Sequence, residues 1–252
     1  MEFLMRKLIP TSCSVAALAL VAGQAAAQSS DWSYFATFYL WGAETKTSIG
    51  TAVGPVESKL SFSDALDNLD LALMGTFEAR NGRWSLLADY MLTDLSIPGG
   101  PVLGGAFSGT DLDLKTQIFS GYAMYTVYEQ SSTSIDIAGG FRWFSTDNTL
   151  ELFSGALPGR RVTAGDDWVD PVIGARVRFP IADRWSGMVL ADYGGFSSDS
   201  ETWQALAAVS YEINQNWVVS GGWRYMDFDH DINGRPFTFR QSGPILGATY
   251  RF

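Results

Sequence analysis

GPILGATYRF, residues 243–252, is the stretch whose reading decides the fold. In an extended chain successive side chains point to opposite sides, so Leu246, Ala248, Tyr250 and Phe252 share one face while Gly247, Thr249 and Arg251 share the other. One face is apolar to the last residue and the other is polar. If that period of two recurs through the chain, the molecule is all-β.

It recurs most clearly over residues 70–93. Leu71, Leu73, Gly75, Phe77 and Ala79 alternate with Asp70, Thr76, Glu78 and Arg80, and Trp84, Leu86, Ala88, Tyr90 and Leu92 alternate with Ser85 and Asp89. Between them Asn81-Gly82 predicts a two-residue type I′ turn, because both central residues of that turn need positive φ. A soluble sandwich turns such an apolar face inward and a membrane barrel turns it to lipid. Aromatic placement favours the barrel: Trp84 sits beside the turn and Tyr90 near the far end, as two interfacial girdles require.

Working outward, the segments 133–143, 169–179, 185–193, 203–213 and 217–225 alternate in the same way. Residues 33–43 are apolar on both faces. Residues 112–128 are read with Leu114, Ile118, Tyr122, Met124 and Tyr128 outward and Asp113, Lys115 and Gln117 inward. Short turns at 129–132, 180–184 and 214–216 alternate with polar excursions at 45–68, 97–109, 145–167, 194–201 and 226–238. Short turns on one side of the membrane and long loops on the other are the asymmetry of outer-membrane barrels. The expectation is a single antiparallel transmembrane β-barrel of about ten strands, an even number with both termini in the periplasm. Eight or twelve strands also fit, because residues 45–68 have room to hide a hairpin.

The first residues read differently. Arg6 and Lys7 form a basic start, residues 13–23 an apolar run, and Ala25-Ala26-Ala27 a small-residue cleavage site. A cleavable signal peptide over residues 1–27 is therefore expected, with the barrel over 28–252. Cys13 is the single cysteine and falls inside that peptide, so the mature chain is expected to hold no disulfide and no thiolate metal site. Beyond the peptide no run reaches the roughly 18 apolar residues of a membrane helix. A formal charge of −10 argues against nucleic acid, which is bound through clustered Lys and Arg.

Two internal echoes support a repeating hairpin: Arg83-Trp84-Ser85 before Asp89-Tyr90 returns as Arg184-Trp185-Ser186 before Asp192-Tyr193, and GGFRW (139–143) returns as GGWRY (221–225). DPVIGARVRFPIADRW (170–185), LADYGGF (190–196), GWRYMDFD (222–229) and GPILGATYRF resemble a group of Gram-negative outer-membrane β-barrel proteins, most of them hypothetical proteins without an assigned function. The resemblance spans most of the mature chain. It implies the barrel and a multi-pass outer-membrane location, and it brings no catalytic residue.

The face expected to line the lumen collects Glu78, Arg80, Asp89, Asp113, Lys115, Asp136, Arg142, Asp170, Arg176, Arg178, Asp192, Glu212, Arg224 and Arg251. Acids and bases are nearly balanced. An Arg or Lys on the lipid face costs roughly 2–4 kcal/mol at the midplane, so these residues also pin the register. The girdles are expected from Trp84, Tyr90, Trp143, Trp185, Tyr193, Trp203, Tyr211, Trp217, Trp223 and Tyr250, and the insertion signal from Tyr250 and Phe252.

The expected role is structural, in membrane integrity, with the lumen plugged by salt bridges, since barrels of this size leave little free interior. A narrow porin-like channel for small polar solutes is the first alternative, and a rim hydrolase of the protease or lipid A deacylase type using His230 is the second. His230 is the only histidine and lies among Asp227, Asp229 and Asp231, a setting in which an imidazole can act as a general base. No omptin-like or deacylase-like motif surrounds it and no serine occurs in residues 226–238, so an enzyme is not expected and no catalytic residue is assigned. Cofactors and metals are not expected either: Asp166, Asp167, Asp199, Glu201, Asp229 and Asp231 lack the Asp-x-Asp-x-Asp-Gly spacing of a calcium loop. The expected partners are outer-membrane lipids and lipopolysaccharide, and the barrel assembly machinery through the C-terminal strand, for a barrel that is monomeric. A receptor or adhesion role for loops such as 145–167 is a third possibility that the residues leave open.

Overall fold

The computed structural model describes residues 32–51, 54–232 and 234–252. The expected signal peptide, residues 1–27, lies outside the described residues. Twelve strands are described: β1 (Trp32–Trp41), β2 (Glu44–Thr51), β3 (Gly54–Leu60), β4 (Leu69–Asn81), β5 (Trp84–Gly99), β6 (Phe107–Gln130), β7 (Thr133–Ser154), β8 (Arg160–Ala182), β9 (Trp185–Gly194), β10 (Ser200–Glu212), β11 (Trp217–Ile232) and β12 (Arg235–Arg251), with a short helix α1 (Phe62–Asp67) between β3 and β4.

Ten of them close a ring. β1 pairs with β4 on one side and with β12 on the other, from Phe35↔Arg251 to Trp41↔Ile245, so the closing strand anticipated from GPILGATYRF meets the first strand. Closure leaves no unpaired sheet edge within the membrane, where an unsatisfied backbone group costs several kcal/mol. The hairpin hidden in residues 45–68 exists, as β2 and β3, but it stands outside the ring. It hydrogen-bonds to the outer part of β12, from Ser242↔Glu44 to Phe237↔Ile49.

The tight turns obey backbone sterics. Asn81↔Trp84 is the last pair of the first hairpin, so the loop is Gly82-Arg83, one residue later than expected, and of those two only Gly82 has positive φ, at 54°. Glycine in the first central position is the type II′ pattern, not I′. At the next short turn Ser131 and Ser132 both take positive φ, 49° and 67°, as a type I′ loop demands.

Much of what reads as polar loop is strand. β6, β7 and β8 have 24, 22 and 23 residues, against roughly 9–11 needed to cross a bilayer. Their far parts, including residues 145–154 and 160–167, run on beyond the length that a crossing needs. There the apolar alternation disappears while the backbone ladder continues to satisfy its N–H and C=O groups.

The two faces settle which solvent surrounds the ring. Phe38, Leu40, Val169, Ile173 and Leu246 point outward at 59–71% exposure, whereas Asp136, Arg142, Arg176 and Arg224 point inward at no more than 2%. An apolar belt right round a closed ring of strands has no stable contact with water and needs lipid. No described helix is long and apolar enough to cross a membrane.

One strand is inverted relative to its sequence reading. In β6 Ile118, Ser120, Tyr122, Met124 and Thr126 face the bore and are buried. Gln117 is on the outer side, where it accepts a hydrogen bond from the Tyr90 hydroxyl at 2.9 Å. The cause is a bulge between Thr126 and Tyr128. It makes Val127 and Tyr128 both exposed, and one extra residue exchanges the faces of everything before it. Counting by twos back from Tyr128 therefore selects the wrong face.

Candidate functional site

The bore is built in three layers, and the register of the strands decides which side chains meet. The middle layer centres on Arg142 of β7 and Arg224 of β11. Arg142 donates from Nη2 to both oxygens of Asp192 (2.8 and 2.9 Å) and to the Tyr122 hydroxyl (2.9 Å), from Nη1 to Thr202 Oγ1 (2.9 Å) and from Nε to Ser120 Oγ (3.1 Å). Arg224 donates from Nη2 to Asp89 Oδ2 (2.6 Å) and from Nη1 to the Tyr39 hydroxyl (3.0 Å), while Tyr39 donates to Asp89 Oδ1 (2.6 Å). Gln204 joins the halves: its Oε1 accepts from Arg224 at 2.8 Å and its Nε2 donates to the Tyr122 hydroxyl at 2.7 Å. Two guanidiniums face two carboxylates, and the uncharged groups between them complete the hydrogen bonds. Burial of charge is tolerable only with that satisfaction.

Above this layer, toward the long hairpins, the bore is filled with rings. Phe144 lies two residues beyond Arg142 and has no exposure; Phe228 lies four beyond Arg224 and has 1%. Phe144 packs against Trp168, Phe228 and Phe239 with centroids 4.5, 4.8 and 5.2 Å apart. Trp41, Met91, Ile118, Met226 and Phe237 complete the same cluster. Aromatic pairs at these separations contribute about 0.5–1.5 kcal/mol each beyond area burial.

Below the middle layer, toward the short turns, lies a second ionic group. Glu78 accepts from Arg80 Nε and Nη2 (2.7 and 2.9 Å) and from Arg176 Nη2 (2.8 Å). Asp136 accepts from Arg176 Nε (2.8 Å), Arg178 Nη2 (3.3 Å) and Thr126 Oγ1 (2.7 Å). Glu212 accepts from Arg251 Nη2 at 2.5 Å nearer the mouth. A cavity of about 300 Å³ occupies the bore beside this group, roofed by Tyr39, Asp89, Tyr122, Gln204 and Arg224. It continues past Arg80, Arg178 and Ser186 into a mouth of about 460 Å³ bounded by the short turns.

Of the expected lumen charges, Glu78, Arg80, Asp89, Asp136, Arg142, Asp170, Arg176, Arg178, Asp192, Glu212, Arg224 and Arg251 are placed inside. Asp170 pairs with no arginine among the described residues; it accepts from Ser200 Oγ (2.6 Å) and Trp168 Nε1 (3.0 Å). Asp113 and Lys115 are outside, on the outer face of β6 above the lipid, where Asp113 and Asp70 share the Ser96 hydroxyl. Their sequence placement fails with the parity of β6. Conversely, Tyr122 is expected outward and lies inside, and the sequence reading assigns no role to Tyr39, Ser120, Thr202 or Gln204. They carry no charge, and the one available signal was their position two residues, or one neighbouring strand, from an inward arginine or aspartate.

The expected girdle residues face outward in two tiers. Near the short turns Trp84 meets Tyr125, Trp185 meets Tyr211, and Trp217 meets Tyr250, which meets Phe252. Near the other interface Trp203 stacks on Tyr225, Tyr193 meets Phe196, Trp223 donates to Ser242 Oγ, and Tyr90 and Trp143 lie at neighbouring positions. The six residues from Trp84 to Tyr90 rise about 20 Å at 3.3 Å each, close to the height of a lipid-facing band.

His230 stacks flat on Trp168, centroids 4.1 Å apart at 6°, and its Nδ1 is buried without a hydrogen-bond partner among the described residues. Asp227 is engaged by Arg240 at 2.9 Å. Among the described residues no group of three or more His, Cys, Asp or Glu is arranged to hold a metal ion.

No protein-family model and no curated protein matches the chain. Among solved structures it is similar to the outer-membrane protease OmpT from Escherichia coli, at 9% identity and a TM-score of 0.50, over 91% of this chain and 99% of that one. It also aligns with the attachment invasion locus protein Ail of Yersinia pestis, at 12% identity and a TM-score of 0.37 over 88% and 98% of the two chains. Neisserial surface protein A follows at 14% and 0.34, over 88% and 98%. The fold is that of an outer-membrane β-barrel.

Proposed function

We propose that this protein is a closed, non-catalytic structural barrel of the outer membrane. The observation that carries the reading is the pair of stacked closures in the bore. Arg142 spans from β7 to β9 and β10 and Arg224 from β11 to β5, with side-chain exposures of 0% and 3%, and the Phe144 cluster seals the space directly above them. Hydrogen bonds between β1, β5, β6, β7, β9, β10 and β11 through this layer brace the ring against flattening. The narrow-channel alternative would need both closures to open. The hydrolase alternative would need His230 to reach a carboxylate or a water, and its stacking on Trp168 favours a packing role instead. Lipid and lipopolysaccharide contacts along the girdles, assembly through the β12 signal, and a monomeric state belong to the same proposal.

Planar-bilayer recording tests it. The purified barrel is expected to give no unitary conductance steps, and the triple variant Phe144→Ala, Phe228→Ala, Arg142→Ala to give them. Steady open-channel current from the unmodified protein would sink the closed-barrel reading.

A further inference from the structure

The two halves of the bore are filled differently. Above the ionic layer it is packed with rings, but below it the inward positions of β10–β12 hold Ala208, Ser210, Ser220, Gly247 and Thr249, too small to reach the axis. Ser210 and Ser220 hydrogen-bond each other at 2.7 Å and Thr249 bonds Thr37 at 2.8 Å, so these hydroxyls stay on the wall. The result is a vestibule of about 300 Å³, closed above and entered from the periplasmic side. That volume is at the lower end of small-molecule sites.

Its lining divides into two chemistries. One wall carries Arg80, Arg176 and Arg178 against only two carboxylates, Glu78 and Asp136. Arg176 is fully engaged between both acids. Arg178 is the under-neutralised cation: it reaches Asp136 Oδ2 at 3.3 Å, an oxygen that already accepts from Arg176 at 2.8 Å, and its side chain is 24% exposed to the vestibule. Beside it the register sets an apolar patch: Met188 pairs with Arg178, Leu190 with Arg176, and Leu206 and Ala208 continue the patch on β10. A cation with spare bonding capacity, next to an apolar surface in a water-accessible pocket, fits a ligand that is charged at one end only.

We propose that the vestibule is a periplasm-facing binding site for an amphipathic anion, a carboxylate or phosphate head on a short alkyl chain. The head is held by Arg178 with Arg80 at the entrance, and the chain lies against Met188, Leu190 and Leu206 beneath the Tyr39–Gln204 roof. A guanidinium offers two parallel N–H donors to such a head, so charge and geometry select together. The site rests on the closed roof proposed above. Conductance reads the roof and binding reads the vestibule, so the two proposals fail separately.

The test is equilibrium dialysis of labelled decanoate against the full-length mature barrel in nanodiscs of zwitterionic lipid, with protein-free nanodiscs subtracted. Decyl phosphate and decanol serve as the other arms. Decanoate, decyl phosphate or both are expected to saturate at one per barrel, which also tells a carboxylate preference from a phosphate one. Decanol is expected to bind at least tenfold more weakly. Arg178→Ala is expected to lower anion affinity at least tenfold and Arg178→Lys to restore most of it. Ala208→Trp, which fills the chamber, is expected to abolish binding while the variant keeps the heat-modifiable mobility of a folded barrel. Absence of a saturable component, equal binding of decanol, or insensitivity to both Arg178→Ala and Ala208→Trp overturns the site.

Discussion

Arg224→Ala is the sharpest probe of the ionic layer. In the intact protein Arg224 serves Asp89 at 2.6 Å, Tyr39 at 3.0 Å and Gln204 at 2.8 Å, and is 2% exposed. Removing it leaves Asp89 buried with the Tyr39 hydroxyl as its remaining donor from this set. Breaking one side of a buried ion pair costs about 3–5 kcal/mol, and leaving Gln204 Oε1 without its donors adds about 1–3 kcal/mol. Water rising from the cavity beneath can rehydrate part of the layer, so the expected loss is about 4 kcal/mol, near the lower end of the sum. That is close to a thousandfold in the unfolding equilibrium. The assay is guanidinium unfolding and refolding in detergent micelles, followed by tryptophan fluorescence. Asp89→Leu combined with Arg224→Met should recover most of the loss, because replacing both partners by apolar groups of similar size is often neutral. A single Arg224→Ala variant within about 1 kcal/mol of the parent, with no coupling to Asp89, would refute the reasoning: the layer would then be solvated and the bore open.

Phe144→Ala should destabilise the same equilibrium by about 3–5 kcal/mol, because the ring has no exposure and its four aromatic neighbours come from three other strands, β8, β11 and β12; a loss under 1 kcal/mol would mean the aromatic layer is not packed. Ser132→Gly should stabilise the β6–β7 hairpin by about 0.5–1 kcal/mol, since φ of 67° strains serine and not glycine, and a lowered unfolding midpoint would contradict that backbone reading. On the exposed β2–β3 hairpin, Lys59 foremost and then Lys46 hold the Glu44 carboxyl below its usual range, at 2.9 and 3.2 Å. A carboxylate depressed on folding contributes stability that is present above its unfolded value and is lost as pH falls through the depressed one. Hydrogen exchange of β2 and β3 amides, corrected for intrinsic rates, should therefore quicken as pH drops below the ordinary carboxylate range. Glu44→Gln should abolish that dependence; an unchanged profile in the variant removes Glu44 as the cause.

The alternation in residues 70–93 and 243–252 defines a sheet with one apolar face and the aromatic placement assigns that face to lipid, because a strand with lipid on one side and a polar bore on the other must alternate with period two wherever it crosses the membrane. The same signal vanished where that contrast ends. Residues 145–154 and 160–167 are strand without that alternation, and nothing in their side chains distinguishes them from loop. It also failed across the Thr126–Tyr128 bulge, since one unpaired residue exchanges the faces and a bulge has no sequence marker here. Asp113 and Lys115 were misplaced for that reason, and Tyr122 was taken for a lipid-facing ring when it is a partner of Arg142.

Which charges line the bore was therefore largely legible strand by strand, whereas their partners were not. Arg224 meets Asp89 across 135 positions and Arg176 meets Glu78 across 98. Those distances close only when ten strands wrap with one stagger, a property of the whole ring. Sequence alone determined the solvent on each face of a strand wherever the alternation runs clear and unbroken, because that is a local matter of polarity and period. Only the tertiary structure decided that the outer half of the bore is sealed and the periplasmic half left hollow, because filling depends on how side chains from opposite walls add up to the width of the barrel.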